Sequence, residues 1–365
     1  MERLTMESVT SEQAETAFQA VDAIRMLVDG HHLSENQAGA TMDAIMQGEV
    51  SPSQIGSLLT ALRMRGETVD EITGFVRSLR RHVNLVSIPD GRPVIDTCGT
   101  GGDGAGTFNI STTAALIVAG AGIRVAKHGN RSVTSRCGSA DVLETLGVAI
   151  ELQPDQVTES VQDAGIGFMF APLYHPGFRH AGTTRREIGI RTVFNMLGPM
   201  TNPAGTRRQV IGVSVPSAAP LLAGALSRLG SERVLVVYSP EGLDELGLGE
   251  PNQVVEFDRA SGKVTQYTIT AQEVGLKPAP CSELAGGSAD DNARILRSIL
   301  DGETGPRRDA ALFNAGAGLY VAGEVQDISE GVRLAANVVD SGRAKSTLDR
   351  FITVSQALAQ RAVAS

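Results

Sequence analysis

The segment VIDTCGTGGDGAGTFNIST, residues 94–112, decides how this chain folds. It starts with a short β-branched run, passes through five glycines between residues 99 and 106, and ends where a helix is predicted over 112–119. Because glycine has no side chain, the backbone of such a loop can turn several N–H groups toward one anion. The dipole of a following helix also favours phosphate at its start. The segment therefore predicts a phosphate-binding loop at the end of a strand in an α/β fold.

Strand-like and helical patterns alternate from this segment toward the C-terminus. The predicted strands cover residues 94–96, 123–126, 167–170, 210–213 and 233–238. The predicted helices cover residues 112–119, 140–146, 218–229, 289–300, 309–322, 328–340 and 345–362. Such alternation favours a mainly parallel central sheet flanked by helices.

Toward the N-terminus, residues 16–83 show only helical periodicity, which predicts roughly four helices. Capping boxes mark three helix starts, and they pair Ser34 with Gln37, Ser51 with Gln54, and Thr68 with Glu71. We expect a disordered or frayed extension over 1–20, a small all-helical domain over 21–88 and a larger α/β domain over 89–365. A helix near 185–203 is expected to join the helical domain, which would place the site between two lobes.

A second polar loop, residues 127–135, follows the next predicted strand. Lys127 and Arg131 bring positive charge there, with His128 as a further basic group. The first glycines also satisfy the dinucleotide pattern G-x-G-x-x-G, but that site needs an acidic residue about 20 residues further on. Because basic residues stand at that strand end instead, the two loops predict a phosphate ligand at the carboxyl edge of the sheet rather than NAD.

Carboxylates follow the strand predicted over 233–238. Asp244 and Glu245 are candidate magnesium ligands, because Mg²⁺ takes one or two carboxylates together with substrate oxygens. Residues 183–192 hold three arginines, and an arginine that lines the cleft is suited to bind a carboxylate with two hydrogen bonds. The pattern alone does not choose among the three.

The composition argues against several classes of protein. The 365 residues carry a net charge of −9, no Trp and four Tyr, which opposes non-specific nucleic-acid binding and base stacking. No apolar run approaches the roughly 18 residues that span a membrane. Three cysteines without close spacing suit a reducing cytosol, so we expect a cytoplasmic protein.

Taken together, the motifs resemble those of the anthranilate phosphoribosyltransferases, which have the nucleoside phosphorylase-like phosphoribosyltransferase fold. The resemblance rests on GTGGD at 99–103, NIST at 109–112, KHGNR at 127–131, GSAD at 138–141, GIRT at 189–192, the stretch 195–203, and Asp244-Glu245. It covers the chain from about residue 20 onward. It implies transfer of the phosphoribosyl group of phosphoribosyl pyrophosphate (PRPP) to the amine of anthranilate, in tryptophan biosynthesis.

The same resemblance implies the binding residues. PRPP is expected on Gly99, Gly102, Asp103, Thr107, Asn109, Ile110, Ser111, Thr112, Lys127, His128, Gly129, Asn130, Arg131, Ser132, Val133, Thr134, Ser135 and Ser139. Anthranilate is expected on Gly99, Asn130 and Arg185, with Arg185 at its carboxylate. Ser111 is expected to ligate one Mg²⁺, and Asp244 with Glu245 the other. Lys127 and Arg185 would position groups and stabilise charge, no general base is assigned, and a homodimer through the helical domain is expected.

Two alternatives stay open at this point. A pyrimidine nucleoside phosphorylase shares the architecture, but its glycine loop typically has Lys-x-Ser where this chain has Gly99-Thr100. A relative on the same fold that binds nucleic acid is disfavoured by the net charge of −9 and by the intact Asp244-Glu245 pair.

Overall fold

A computed structural model describes residues 18–89, 91–132 and 136–364, with side chains through residue 361. Of the extension expected over 1–20, residues 1–17 lie outside the described residues. The chain opens with the helices α1 (Ala20–Val28), α2 (Glu35–Gln47), α3 (Pro52–Arg65) and α4 (Val69–Arg81). Ser34, Ser51 and Thr68 each accept a backbone N–H at the start of their helix, so the three predicted capping boxes are confirmed.

A seven-stranded sheet forms the centre of the molecule. Its strands are β1 (Val94–Thr97), β2 (Arg124–Gly129), β3 (Ile166–Phe170), β4 (Arg208–Gly212), β5 (Arg233–Tyr238), β6 (Asn252–Asp258) and β7 (Lys263–Ile269). They lie in the order β3-β2-β1-β4-β5-β6-β7, with the first five parallel and the β5–β6–β7 pairs antiparallel. The mainly parallel sheet is confirmed, and the hairpin of β6 and β7 is an addition that the sequence patterns missed.

Helices connect and cover these strands. They are α5 (Ile110–Gly120), α6 (Ser139–Leu146), α7 (Pro154–Ala164), α8 (Ala171–Tyr174), α9 (Arg179–Ile188), α10 (Phe194–Met200), α11 (Ala218–Arg228), α12 (Ala289–Leu300), α13 (Pro306–Ala322), α14 (Ile328–Asp340) and α15 (Arg343–Ala364). The single helix expected near 185–203 is two helices, because Gly189 (φ +67°) ends α9 in the left-handed conformation. This segment contacts the N-terminal helices: α9 packs on α2 and α3, and α10 on α4.

Alternate side chains of β5 enter different cores on the two faces of the sheet, as strand geometry requires. Val234 and Val236 pack with α1–α4 and α9–α11, whereas Leu235 and Val237 pack with α5 and α12–α15. The N-terminal helices therefore share a core with one face of the sheet. Within the residues that the structure describes, no helix is both long and apolar enough to cross a bilayer.

The strand order reverses at β1, which lies between β2 and β4. From β1 the chain proceeds outward to β2 and β3 on one side, and it later returns to build β4 and β5 on the other. Open α/β sheets bind ligands outside the carboxyl ends of the strands at such a reversal. The loops after β1, β2, β4 and β5 are therefore the ones that define the candidate site.

Candidate active site

The glycine loop, residues 99–106, leaves the carboxyl end of β1 and leads to α5. Its backbone is fastened at two points, since the N–H of Thr100 donates to the carbonyl of Gly212 at 2.8 Å and the N–H of Gly101 donates to Oδ2 of Asp244 at 2.6 Å. Four of its glycines have positive φ angles, between +67° and +74°. Only glycine adopts this conformation without strain, so the loop has the open backbone that an anion site requires.

Asp244 and Glu245 lie on the acidic loop, residues 239–251, which connects β5 to β6. Oε1 of Glu245 accepts the N–H of Ser111 in the first turn of α5 at 3.2 Å. Together with the bond from Gly101 to Asp244, this contact brings the acidic loop against the glycine loop. The structure thus joins residues that are more than 130 positions apart in the sequence.

Two glycines make this close approach possible. A Cβ at Gly99 would overlap Oδ2 of Asp244, and a Cβ at Gly212 would overlap the carbonyl oxygen of the same residue. Any side chain at either position would push the acidic loop away from β1 and β4. Gly99 was a predicted substrate contact, whereas Gly212 was missed because its requirement comes from a distant segment.

Negative charge is concentrated where the two loops meet. Burial and the nearby carboxylate of Asp103 raise the pKa of Asp244 above its ordinary value. Burial and the charge of Asp244 raise the pKa of Glu245, while Lys127 opposes that rise. Lys127 is 2% exposed, and its Nζ donates to the carbonyl of Thr97 at 2.6 Å. Carboxylates that repel one another in this way favour a bound cation.

This donor set fits Mg²⁺ held jointly with a diphosphate. Among the described residues, no three His, Cys, Asp or Glu side chains form a metal cluster by themselves. Magnesium usually takes only one or two carboxylates, and it completes its octahedron with water and substrate phosphate. Asp244 and Glu245, with the hydroxyl of Ser111 hydrogen-bonded to Glu245, supply that partial set.

The loop after β2 contributes less charge than its sequence suggested. The guanidinium of Arg131 pairs with Asp141 at 3.1 Å and with Glu144 at 2.7 Å, so α6 holds it. The N–H of Ser132 also donates to Asp141, at 3.0 Å, while the side chain of Asn130 is exposed. The predicted PRPP contacts that lie outside the described residues are Val133, Thr134 and Ser135.

The remaining predicted contacts lie around α5 and before α6. Asn109, which follows the glycine loop, contacts the loop after β2, because its Nδ2 donates to the carbonyl of Cys137 at 3.3 Å. The hydroxyl of Ser139 donates to the carbonyl of Asn130 at 3.4 Å, beside Gly129. Ile110 and Thr112 have buried side chains, so their backbone is the part suited to a ligand. The predicted contacts at the exposed or half-buried edge of the glycine loop are Gly102, Asp103 and Thr107.

His128 does not supply the positive charge that the basic loop suggested. Its Nε2 lies 3.1 Å from Nε2 of His175, and both side chains are buried. Burial and the second imidazole hold the pKa of His128 well below its usual range, and burial lowers that of His175 to about 4. A neutral pair therefore stands where a basic group was expected.

An aromatic row links this histidine pair to Arg185. We use that name for His128, His175, Phe178 and Phe194, whose successive ring centroids are 4.9, 5.0 and 5.6 Å apart. The guanidinium of Arg185 lies 4.9 Å from the ring centroid of Phe194, and burial lowers its pKa. In the described part of the chain it makes no hydrogen bond or ion pair, so it is open to an acidic ligand.

Arg191 has a role that the sequence did not reveal. Its guanidinium donates to the carbonyls of Gly102 at 2.6 Å and Gly101 at 3.1 Å. The link between α9 and α10 therefore holds the glycine loop directly. GIRT at 189–192 marked this arginine as part of a motif, but nothing in its spacing indicated a backbone partner 90 residues away.

Comparison with known proteins agrees with this geometry. Residues 21–83 match the family model described as glycosyl transferase family, helical bundle domain, and residues 91–345 match the a/b domain of the same family. An anthranilate phosphoribosyltransferase of Thermomicrobium roseum is 50% identical over 343 residues, covering 94% of this chain and 99% of that protein. The chain belongs to the anthranilate phosphoribosyltransferase family.

Solved structures of this family share the fold. The anthranilate phosphoribosyltransferase of Thermus thermophilus superimposes with a TM-score of 0.87 at 46% identity, covering 92% of this chain and 99% of that one. The Saccharomyces cerevisiae enzyme, in complex with PRPP and Mg, gives a TM-score of 0.84 at 28% identity, covering 93% of this chain and 98% of that one. Another structure of the yeast enzyme contains 4-fluoroanthranilate. The fold and the pentosyltransferase family expected from the motifs are confirmed.

Proposed function

We propose that the cleft between the glycine loop and the acidic loop is where this chain transfers the phosphoribosyl group of PRPP to anthranilate. The anthranilate nitrogen bonds to ribose C1 as the bond from C1 to pyrophosphate breaks. The products are N-(5-phosphoribosyl)anthranilate, pyrophosphate and the proton lost from the amine. The hydrogen bond from Gly101 to Asp244 carries this proposal, because it joins an anion-binding backbone to a metal-binding carboxylate.

We expect positioning and electrostatics to supply most of the catalysis. An aromatic amine is a weak nucleophile, so the C1–oxygen bond breaks early and negative charge develops on the departing pyrophosphate. The glycine-loop amides, the start of α5 and Lys127 are placed to stabilise that charge. Asp103, Asn109 and Ser139, with the backbone of Asn130, are proposed to contact PRPP there as well; the hydrogen bonds of Asn109 to Cys137 and of Ser139 to Asn130 support this for the loop after β2. No side chain is assigned as a general base.

Two Mg²⁺ per subunit are part of the proposal. Asp244 and Glu245 would hold one ion and Ser111 the other, each shared with the diphosphate. Bound Mg²⁺ would neutralise charge on the pyrophosphate oxygens. Burial raises the pKa of both carboxyls, and a neighbouring carboxylate raises each further, Asp103 for Asp244 and Asp244 for Glu245, which supports a bound cation among them.

Anthranilate is proposed to lie between Gly99, Asn130 and Arg185. Support comes from Arg185, which ends the aromatic row and makes no ion pair among the described residues. We expect Arg185→Ala to raise the anthranilate KM by about tenfold, as expected for one lost charged hydrogen-bond pair. The neighbouring exposed Arg186, which donates to Thr183, serves as the control through Arg186→Ala. An unchanged anthranilate KM in Arg185→Ala would reject the carboxylate role.

The direct test of the activity follows anthranilate consumption by fluorescence with PRPP and Mg²⁺. Loss of signal that requires all three components is the expected result. Phosphate-dependent release of thymine or uracil from a nucleoside would instead favour a pyrimidine nucleoside phosphorylase. A salt-dependent DNA mobility shift without turnover would favour a nucleic-acid-binding relative.

A homodimer through the helical domain is also proposed. A groove of about 750 Å³ lies on α1 and α3, with Leu27, Ile188 and Ala61 among its lining residues. Val28 and Met64 at this groove are 71% and 85% exposed, which is unusual for large apolar side chains. Light scattering should show a dimer for the native chain and a monomer for Met64→Glu. A native monomer would contradict the proposal.

The division of the chain and its location complete the proposal. We place the boundary between a helical domain at 21–88 and an α/β domain at 89–365, in accord with the two separate family matches. A cytoplasmic location is supported by Cys98, Cys137 and Cys281, which form no disulfide. Fractionation of cells that express the tagged chain tests this location.

A further inference from the structure

The acidic loop is held by a buried amide outside the predicted site. Asn314 lies on α13 and is 3% exposed. Its Oδ1 accepts the N–H of Leu246, and its Nδ2 donates to the carbonyl of Leu246, both at 3.0 Å. The side chain thus satisfies both backbone groups of one residue, as a neighbouring strand would. That residue immediately follows Glu245.

Asn252, at the start of β6, holds the next residue in the same way. Its Oδ1 accepts the N–H of Gly247 at 2.7 Å, and its Nδ2 donates to the carbonyl of Gly247 at 2.9 Å. The second amide proton of each asparagine is also engaged, by Ala310 at 2.9 Å for Asn314 and by Ile269 at 3.2 Å for Asn252. Buried amides with every group paired fix one conformation of the loop.

We propose that Asn314 and Asn252 are positioning residues that set the direction in which Asp244 and Glu245 present their carboxylates to Mg²⁺. This inference rests on the metal role proposed above for the two carboxylates. Leu243 and Leu246 are completely buried on the core side of the loop. The leucines therefore fix which face of the loop points to the core. The two amides fix the backbone position of Leu246 and Gly247, the residues that follow Glu245.

Such precision matters for this metal. Mg²⁺ demands ligand distances of about 2.0–2.1 Å in near-octahedral geometry. Partners that orient metal ligands commonly change metal affinity by about 10–100-fold when they are removed. A displaced loop would keep both carboxylates but present them at the wrong angle. The expected signature is weaker binding of Mg²⁺ with intact binding of anthranilate.

The test uses the full chain with Asn314→Asp and Asn252→Asp, made separately. Each substitution keeps the size and the accepting Oδ1 but places an oxygen against the carbonyls of Leu246 or Gly247. Gln156→Glu is the matched control, because Gln156 also donates an amide to a backbone carbonyl, that of Leu358, far from the site. PRPP at a fixed concentration is titrated with Mg²⁺, and the rise in melting temperature is recorded. The Mg²⁺ dependence of the rate and the anthranilate KM are measured alongside.

We expect the Mg²⁺ concentration at half of the thermal shift to rise at least about tenfold in both Asn variants and to stay unchanged in Gln156→Glu. The anthranilate KM should change by less than about twofold in all three. A lower melting temperature without ligand, with the Mg²⁺ dependence of the native chain, would show that the two amides are structural only. That result would overturn the proposal.

Two further variants keep the outcome decisive. If the Asp variants do not fold, Asn314→Ser and Asn252→Ser are measured in the same way, and failure of these to fold also overturns the proposal. Asp244→Ala separates this inference from the proposed metal site. If Asp244→Ala keeps the native Mg²⁺ dependence, the metal assignment itself fails. If Asp244→Ala loses the native Mg²⁺ dependence while the Asn variants keep that dependence, only the positioning role fails.

Discussion

The glycine loop and the acidic loop meet at one edge of the sheet, yet they are held in different ways. The acidic loop has its own core residues, with Leu243, Leu246 and Leu248 at most 1% exposed. The glycine loop has no buried residue between 99 and 106 among those described. Its tip is held from outside by Asp244 and Arg191. The acidic loop is therefore anchored by the core, whereas the glycine loop depends on contacts that a ligand can replace.

This difference separates two tasks of the proposed reaction. Metal ligands work only at fixed positions, so they belong on the loop that the core holds. A loop that encloses a diphosphate must admit the ligand and then close around it. Oδ2 of Asp244 accepts the N–H of Gly101, so one carboxylate proposed to bind Mg²⁺ also holds the glycine loop.

The largest expected effect is in amide hydrogen exchange. The N–H groups of Leu246 and Gly247 are paired with buried amides, whereas Gly102 and Gly104 lie on the exposed tip. We expect exchange at the tip to be faster by about three orders of magnitude, because local openings span the range from nearly free to global unfolding. PRPP with Mg²⁺ should slow exchange at the tip only. Equal exchange in the two loops would abolish the distinction drawn between them.

Removing the shared carboxylate should have the next largest effect. Asp244→Ala deletes a proposed metal ligand and the acceptor of Gly101, so we expect kcat/KM to fall by at least about 100-fold. Glu250→Gln, on the exposed end of the same loop, should leave the rate unchanged. Steady-state rates at saturating Mg²⁺ check this. Near-native activity in Asp244→Ala would remove the acidic loop from the site.

A glycine beneath the acidic loop gives a smaller but specific effect. Gly212→Ala would place a Cβ against the carbonyl of Asp244, so the rigid loop must move, and we expect about 2 kcal/mol of lost stability. Gly198→Ala is the control, because it has open space and an ordinary φ angle. Urea denaturation measures both variants. A tolerated Gly212→Ala would show that the acidic loop is less rigid than its buried leucines imply.

Local signals in the sequence predicted much of this molecule. Five parallel strands and most helices follow from β-branched runs and helical periodicity, and the capping pairs at Ser34, Ser51 and Thr68 lie where predicted. The strand and the glycines that precede α5 likewise predicted a phosphate loop. These features depend on residues within one turn or one strand of each other, so a sequence displays them directly.

Features that depend on distant contacts were not visible. His128 was predicted to be basic, but its pKa is depressed by burial beside His175, which another part of the chain supplies. Arg131 is predicted to contact PRPP, and the sequence did not show that two acidic residues of α6 also pair with it. Two of the three hydrogen bonds of the Asn314 side chain join it to Leu246, 68 residues away. Burial and charge pairing belong to the folded chain, and one sequence without its fold does not display them.

Arg191 provides the smallest expected effect and the most direct test of the comparison. Arg191 is half-buried, and its guanidinium donates exposed hydrogen bonds to the carbonyls of Gly101 and Gly102, so it holds the glycine loop from outside the acidic loop. We expect Arg191→Ala to raise the PRPP KM by about threefold to tenfold, since two solvent-exposed hydrogen bonds contribute about 1 kcal/mol together. The kcat and the Mg²⁺ concentration needed for half of the maximal rate should stay near those of the native chain, because the acidic loop is unchanged. Arg191→Lys should recover part of the loss through one remaining donor. A fall in kcat with an unchanged PRPP KM would mean that the arginine acts on the reacting groups rather than on the loop.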